Sequence, residues 1–128
     1  MPNQILSVVE SAYRATIEEQ DDTIVWLMHS LRAAGAGIDI LLRGNAVNYT
    51  VKGQDASGLV FGERRQTQPP TLDADLTKLI AQGAHVLAVE EDLAERGIED
   101  AEMIAGVTTV PRGELARLLD SYEKIWHW

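Results

Sequence analysis

The stretch HVLAVEEDL, residues 85–93, decides how the chain is read. An apolar run turns acidic within one step, the profile of a buried strand (HVLAVE) that stops where a short helix (EDLAERG) begins. Acids in the first turn of a helix are favoured by its macrodipole, at about 0.3–1 kcal/mol each. The same carboxylates, Glu90, Glu91 and Asp92, are candidates for acid–base chemistry if burial or mutual repulsion raises one pKa. Three consecutive acids cannot all face one pocket, so helix starting is the simpler reading.

The rest of the chain repeats the strand–helix step. QILSVVES (4–11) is a β-branched run and predicts a first strand, followed by a loop, YRATIEEQDD. A helix starts at Asp21 or Asp22, either of which can cap exposed backbone N–H groups. Ile24, Leu27, Met28 and Leu31 then fall on one apolar stripe, Arg32 suits the last turn, and Gly35 ends it. IDILLR (38–43) predicts a second strand closed by Gly44-Asn45, and AVNYTV a short helix ending at Gly53. Residues 54–70, with glycines, two prolines and no sustained periodicity, form a long loop of the kind that is often functional. A third helix starts at Thr71 or Asp73, points Leu76, Leu79 and Ile80 inward, and stops at Gly83. VTTV (107–110) is a strand cut off by Pro111, ELARLLDSY a helix with Leu115, Leu118 and Leu119 on one face, and KIWHW a fifth strand.

This order predicts one α/β domain over residues 1–128, a three-layer α/β/α arrangement with a mostly parallel five-stranded sheet, flavodoxin-like in the order of its elements. Ligands of such folds bind outside the carboxyl ends of the strands. The residues expected there are Glu10, Tyr13 and Arg14 after strand one, and Asn45, Asn48 and Tyr49 after strand two. Glu90 to Asp92 follow strand three and Arg112 follows strand four.

Composition excludes several chemistries. The chain has 128 residues, no cysteine and a formal net charge of −9. With no thiol there is no disulfide, thiolate zinc site, iron–sulfur cluster or cysteine nucleophile. The acidic balance, with Arg64-Arg65 as its only dense basic pair, is the reverse of a nucleic-acid footprint and reads as solubility or as a match for a basic partner. No apolar stretch approaches the ~20 residues that span a bilayer, and the N-terminus lacks a secretory pattern, so the expected location is cytoplasmic.

The histidines are dispersed. His29 lies within the first helix. His85 starts its strand, about 16 Å from Glu90 at the rise of a strand, on the edge opposite the crevice. His127 alternates with Trp126 and Trp128, which puts both indoles on one face, against the core or another subunit. No His pair has metal-ligand spacing and no Gly-x-Ser-x-Gly elbow occurs, so neither a metal nor a hydrolase triad is expected, and no cofactor is implied. GAGID (35–39) precedes a strand, the wrong context for a dinucleotide loop. Gly44-Asn45 is placed for a small anion.

HVLAVEEDLAERGI and the closing YEKIWHW together resemble the DsrE/DsrF/DsrH-like (Tus-related) sulfur-relay family, with LRAAGAGIDILLRGNAV fitting its second strand–helix unit. The resemblance implies a small oligomeric α/β domain whose sulfur-transferring members carry a persulfide on a cysteine at the end of the third strand. Counted from Arg96-Gly97, that position is Val89. Valine cannot carry sulfur, so the resemblance implies an accessory or binding subunit in a homo-oligomer, or in a hetero-oligomer with related DsrE-family subunits. Its run Val-Glu-Glu-Asp-Leu looks like the DsrH branch, and its middle loop like the DsrE branch. Candidate ligand or partner residues are Asn45, Tyr49, Glu90, Glu91 and Arg96, for a small molecule or anion, with Arg96 also able to pair with the acid-rich helix. An alternative is a small enzyme using Glu90 or Glu91 as base near Tyr49 and Arg14; another is a structural homo-oligomer without a ligand.

Overall fold

Five buried residues in a row, Ile38 to Leu42, form the strand at the centre of the molecule. A strand covered on both faces reads as a continuous apolar run, and IDILL departs from that only at Asp39. The computed structural model describes residues 4–13, 22–54 and 57–128. Its elements are β1 (Ile5–Val9), α1 (Thr23–Ala33), β2 (Ile38–Leu42), a 3-10 helix (Gly44–Thr50), β3 (Val60–Phe61), β4 (Arg64–Arg65), α2 (Leu72–Ala81), β5 (Val86–Val89), α3 (Glu90–Glu95), β6 (Val107–Val110), α4 (Leu115–Asp120) and β7 (Lys124–His127).

The main sheet has five strands in the order β6-β5-β2-β1-β7, and every pairing in it is parallel. From β1 through β2 and β5 to β6 the chain steps in one direction across the sheet. Right-handed crossovers then place α1, α2 and α3 on a single face. There Ile24, Val25, Met28, Leu72, Leu76, Leu79 and Leu93 pack on Val9, Ile40, Leu42, Val86 and Ala88. The last crossover runs back to the far edge over the other face. On that side Leu115, with Leu118, Leu119 and Tyr122, covers Leu6, Val8, Leu41, Leu87 and Val89. Full burial of each such aliphatic side chain contributes about 1.5–3 kcal/mol. These two clusters are the interfaces between the expected three layers.

Local chemistry sets the boundaries. Asp22 caps α1, accepting from the amides of Ile24 (2.8 Å) and Val25 (3.3 Å). At the other end Arg32 donates to the carbonyls of Ile38 (3.2 Å) and Gln82 (2.8 Å), tying α1 to β2 and to the end of α2. Trp126 packs on the α1-side core, and the Trp128 indole donates to Ser7 Oγ over 2.9 Å, so both indoles lie on the face that alternation assigns.

Several boundaries differ from expectation. The first strand is shorter than 4–11. The segment expected as a helix over AVNYTV is a 3-10 helix starting at Gly44, which turns the chain at a φ of 57°. The 54–70 loop carries a hairpin, with Val60 and Phe61 paired to Arg65 and Arg64. Strands of two residues are too short for a periodicity to register. Arg14, Asp21 and most of the expected 13–22 loop lie outside the described residues. No described helix is long and apolar enough to cross a membrane.

Candidate functional site

The loops leaving β5 and β6 diverge to opposite faces of the sheet, and a crevice opens outside their carboxyl ends, as expected at such a reversal. It is an open cleft of ≈ 660 Å³. Glu10, Ser11 and Ala12 enter it from β1, Arg43, Gly44 and Asn45 from β2, Asp92 and Arg96 from α3, and Arg112 from the turn after β6. Of the residues expected at this edge, the structure brings together Glu10, Asn45, Asp92, Arg96 and Arg112.

Asp92 is the hub. Its side chain is buried, although the helix it starts is short. One carboxylate oxygen accepts from the Gly44 amide at 2.8 Å and the other from the Arg112 guanidinium at 2.7 Å. Burial alone would push this carboxyl up; the Gly44 amide, Arg112 and the charge of Arg96 together outweigh burial and hold it below the usual carboxylate range. Asp92 is therefore an ionised anchor rather than a proton donor. Arg96 is fixed from two sides, donating to the Asp92 carbonyl (3.0 Å) and to Asn45 Oδ1 (2.9 Å). Arg43 pairs with Glu10 at 3.2 Å, and His127 approaches the same carboxylate at 3.0 Å. The cleft is thus a set of cross-linked charges, each guanidinium held by one loop against another.

The remaining expected site residues lie elsewhere. Glu91 does not face the cleft with a free carboxylate: both its oxygens accept from the Arg112 backbone amide, at 2.9 and 2.8 Å. Glu90 is exposed at the start of α3. Val89 is fully buried in the α4-side core and does not line the cleft. Tyr49 is a correction, because it has no exposed surface for a ligand to touch. The 3-10 helix turns its ring inward, where the hydroxyl donates to Asp22 at 2.6 Å and accepts from the Tyr13 amide. Tyr13 packs edge-on against it, with ring centroids 5.2 Å apart, and adopts a positive φ of 59°. Its hydroxyl donates to Gln54 Oε1 (2.8 Å), and Gln54 in turn donates to the carbonyls of Asn48 (2.7 Å) and Val51 (2.9 Å). Tyr49, Tyr13 and Asn48 therefore brace the wall behind the cleft. Among the described residues no group of three or more acidic or imidazole side chains is arranged to hold a metal ion.

Sequence reasoning missed Arg43, read as the end of a strand, and the cluster around Asp39. That buried carboxylate sits at the opposite, amino edge of the sheet. It accepts from the His85 amide (2.7 Å) and the Tyr122 hydroxyl (2.5 Å), with His85 Nδ1 at 3.1 Å. An acid inside an otherwise apolar, doubly covered strand was the available signal.

No family model matches the sequence, and no curated protein matches it. Solved structures do. YchN from E. coli superimposes with a TM-score of 0.75 at 21% identity, covering 98% of this chain and 99% of its own. The protein of unknown function BT1422 from Bacteroides thetaiotaomicron gives 0.65 at 18% identity, covering 98% of this chain and 95% of its own. The protein of unknown function MTH1491 from Methanobacterium thermoautotrophicum gives 0.64 at 15% identity, covering 97% and 98%. The chain therefore has a YchN-like α/β fold along almost its whole length, in agreement with the fold implied by the DsrE-like resemblance.

Proposed function

We propose that this chain is a DsrE-like accessory or binding subunit of intracellular sulfur metabolism that does not itself carry a persulfide. Its place in that reading is cytoplasmic, in an oligomer with copies of itself or with related subunits that do bear the cysteine. The observation that carries the proposal is the carboxyl-edge cleft without a nucleophilic thiol. Its arginines are already oriented by Glu10, Asn45 and Asp92, and Val89 seals the strand end where a relative would carry sulfur. Oriented guanidiniums recognise and position without forming covalent bonds. Asn45 and Arg96, with Arg112, are the residues that would meet a partner loop or a small anionic ligand.

Native mass spectrometry of the protein purified from its own host tests this. The expected result is an assembly containing a cysteine-bearing relative, weakened about 10-fold or more when Arg96 is replaced by alanine. A chain that purifies alone, and whose Asn45→Ala, Arg96→Ala and Arg112→Ala variants leave every interaction unchanged, overturns it.

A further inference from the structure

Asp39 is the one charged residue of β2 and has no exposed surface. A carboxylate inside a doubly covered strand is costly to bury, and an apolar residue in its place is often neutral or stabilising. What Asp39 does there is hold an imidazole. Its Oδ1 accepts from the His85 backbone amide at 2.7 Å, and His85 Nδ1 lies 3.1 Å from each carboxylate oxygen. Its Oδ2 also accepts from the Tyr122 hydroxyl. The His85 carbonyl in turn accepts from the Ile40 amide at 3.0 Å. Amide, carbonyl and ring of His85 are thus all fixed, although its side chain is 60% exposed. A carboxylate only accepts, so Nδ1 carries the ring proton and Nε2 the lone pair. Nε2 bonds to none of the described residues.

We infer that His85 is a phosphoryl acceptor, whose oriented Nε2 takes the phosphoryl group of a small acyl phosphate. An oriented, exposed Nε2 can ligate a metal, remove a proton or attack an electrophile. A metal ion needs further ligands, and among the described residues no group of three or more acidic or imidazole side chains supplies them. A general base works on a substrate shielded from water, and a ring more than half in solvent shields nothing. Attack on an electrophile remains. An acyl group on an exposed imidazole is soon lost to water, whereas the negative oxygens of a phosphoryl group repel hydroxide and let it persist. In the step itself, the Nε2 lone pair forms the N–P bond as the P–O bond to the acyl group breaks, and the carboxylate leaves with that electron pair. Nδ1 keeps its proton, so the ring becomes cationic as the bond forms. The buried Asp39 carboxylate stabilises that new charge, the part an aspartate plays beside any imidazole that becomes cationic in a reaction. Asp39 is thus a positioning residue, and His85 the reacting one.

The site stands at the amino edge of the sheet, and its test does not involve the carboxyl-edge cleft. The purified chain is incubated with radiolabelled acetyl phosphate, and the label is located by mass spectrometry. His127 is the internal comparison: it is 58% exposed, but its Nε2 faces Glu10 at 3.0 Å. One acid-labile, alkali-stable phosphoryl group should appear on His85, at least about 10-fold faster than on His127, and His85→Gln should abolish it. A folded Asp39→Asn variant should be labelled about 10-fold or more slowly, and its imidazole 15N shifts should lose the single Nδ1–H tautomer of the wild type. Tyr122→Phe keeps the His85–Asp39 bond and should be labelled nearly as fast as the wild type. If Asp39→Asn does not fold, the His85-to-His127 ratio and the wild-type tautomer decide. The inference is overturned by label spread equally over the two histidines, by a chain that takes no label, or by a folded Asp39→Asn variant labelled at the wild-type rate. It is equally overturned if His85 is found in the Nε2–H tautomer, or if it takes up Zn2+ stoichiometrically and stays unlabelled.

Discussion

The Gly44 amide donates to the Asp92 carboxylate over 2.8 Å, joining two turns that are 48 residues apart in sequence. That bond, with the Arg112 guanidinium on the other oxygen, makes the carboxyl edge a single unit instead of separate loops. Removing an acceptor from a buried hydrogen bond leaves its donors unpaired, so Asp92→Ala should cost about 1–3 kcal/mol in urea unfolding.

The same carboxylate has a pH signature. Its folded pKa is depressed, so its contribution is complete above the unfolded value of about 3.9 and disappears as pH falls through the lower, folded value. The stability gap between the wild type and Asp92→Asn should be constant near neutrality and shrink below about pH 4. A gap that instead grew on acidification would contradict the ion-pair account.

Glu90 and Glu91 separate cleanly. Glu90 is exposed, and with only its place in the first turn of α3 to lose, Glu90→Gln should lower the melting temperature by no more than about 1–2 °C. Glu91 holds the Arg112 amide, and Glu91→Gln should lower it by roughly 3–5 °C. Equal effects would mean that neither carboxylate is structural in the way described.

All three tyrosines are held above their ordinary pKa. Burial raises Tyr13. Burial followed by the hydrogen bond to Asp22 raises Tyr49, and burial followed by the bond to Asp39 raises Tyr122. A raised folded pKa means stability that is present below the unfolded value and lost as pH climbs towards the folded one. At pH 10 the native protein should show clearly less tyrosinate absorbance at 295 nm than the urea-unfolded chain, which should be about half ionised. Equal tyrosinate in the folded and unfolded samples would refute the Tyr49–Asp22 and Tyr122–Asp39 hydroxyl bonds.

Asp39 accepts from backbone and side chain at once. Asp39→Ala should destabilise by about 2–3 kcal/mol and Tyr122→Phe by about 1 kcal/mol. The double variant should fall short of the sum, because both changes remove the same bond.

How much was legible in the sequence follows from the range of each signal. The α1 stripe, the Asp22 cap and the strand into HVLAV are local patterns, and they appear where the periodicity places them. Tyr49 is different: in a 3-10 helix the face a residue presents is set by a smaller turn than the one its spacing implied. The pairs that build the cleft join residues on different strands, and no window along the chain contains both. Arg43 was hidden for a related reason, because its partner Glu10 follows the neighbouring strand, 33 positions away in sequence. Asp39 was visible as a charge inside an apolar run, but its partners His85 and Tyr122 were not.

The position of β7 has a consequence for how the molecule assembles. This last strand lies beside β1, the first to be made, so one edge of β1 stays open until nearly all of the other elements exist. Closing so large a loop is entropically slow, and the step comes late. The seam between β1 and β7 should therefore be the last to form and the first to open. An unfinished chain would expose a strand of Ile5, Leu6, Val8 and Val9 to any neighbour able to pair with it, which makes this seam, rather than the cleft, the place where a weakened variant would begin to aggregate.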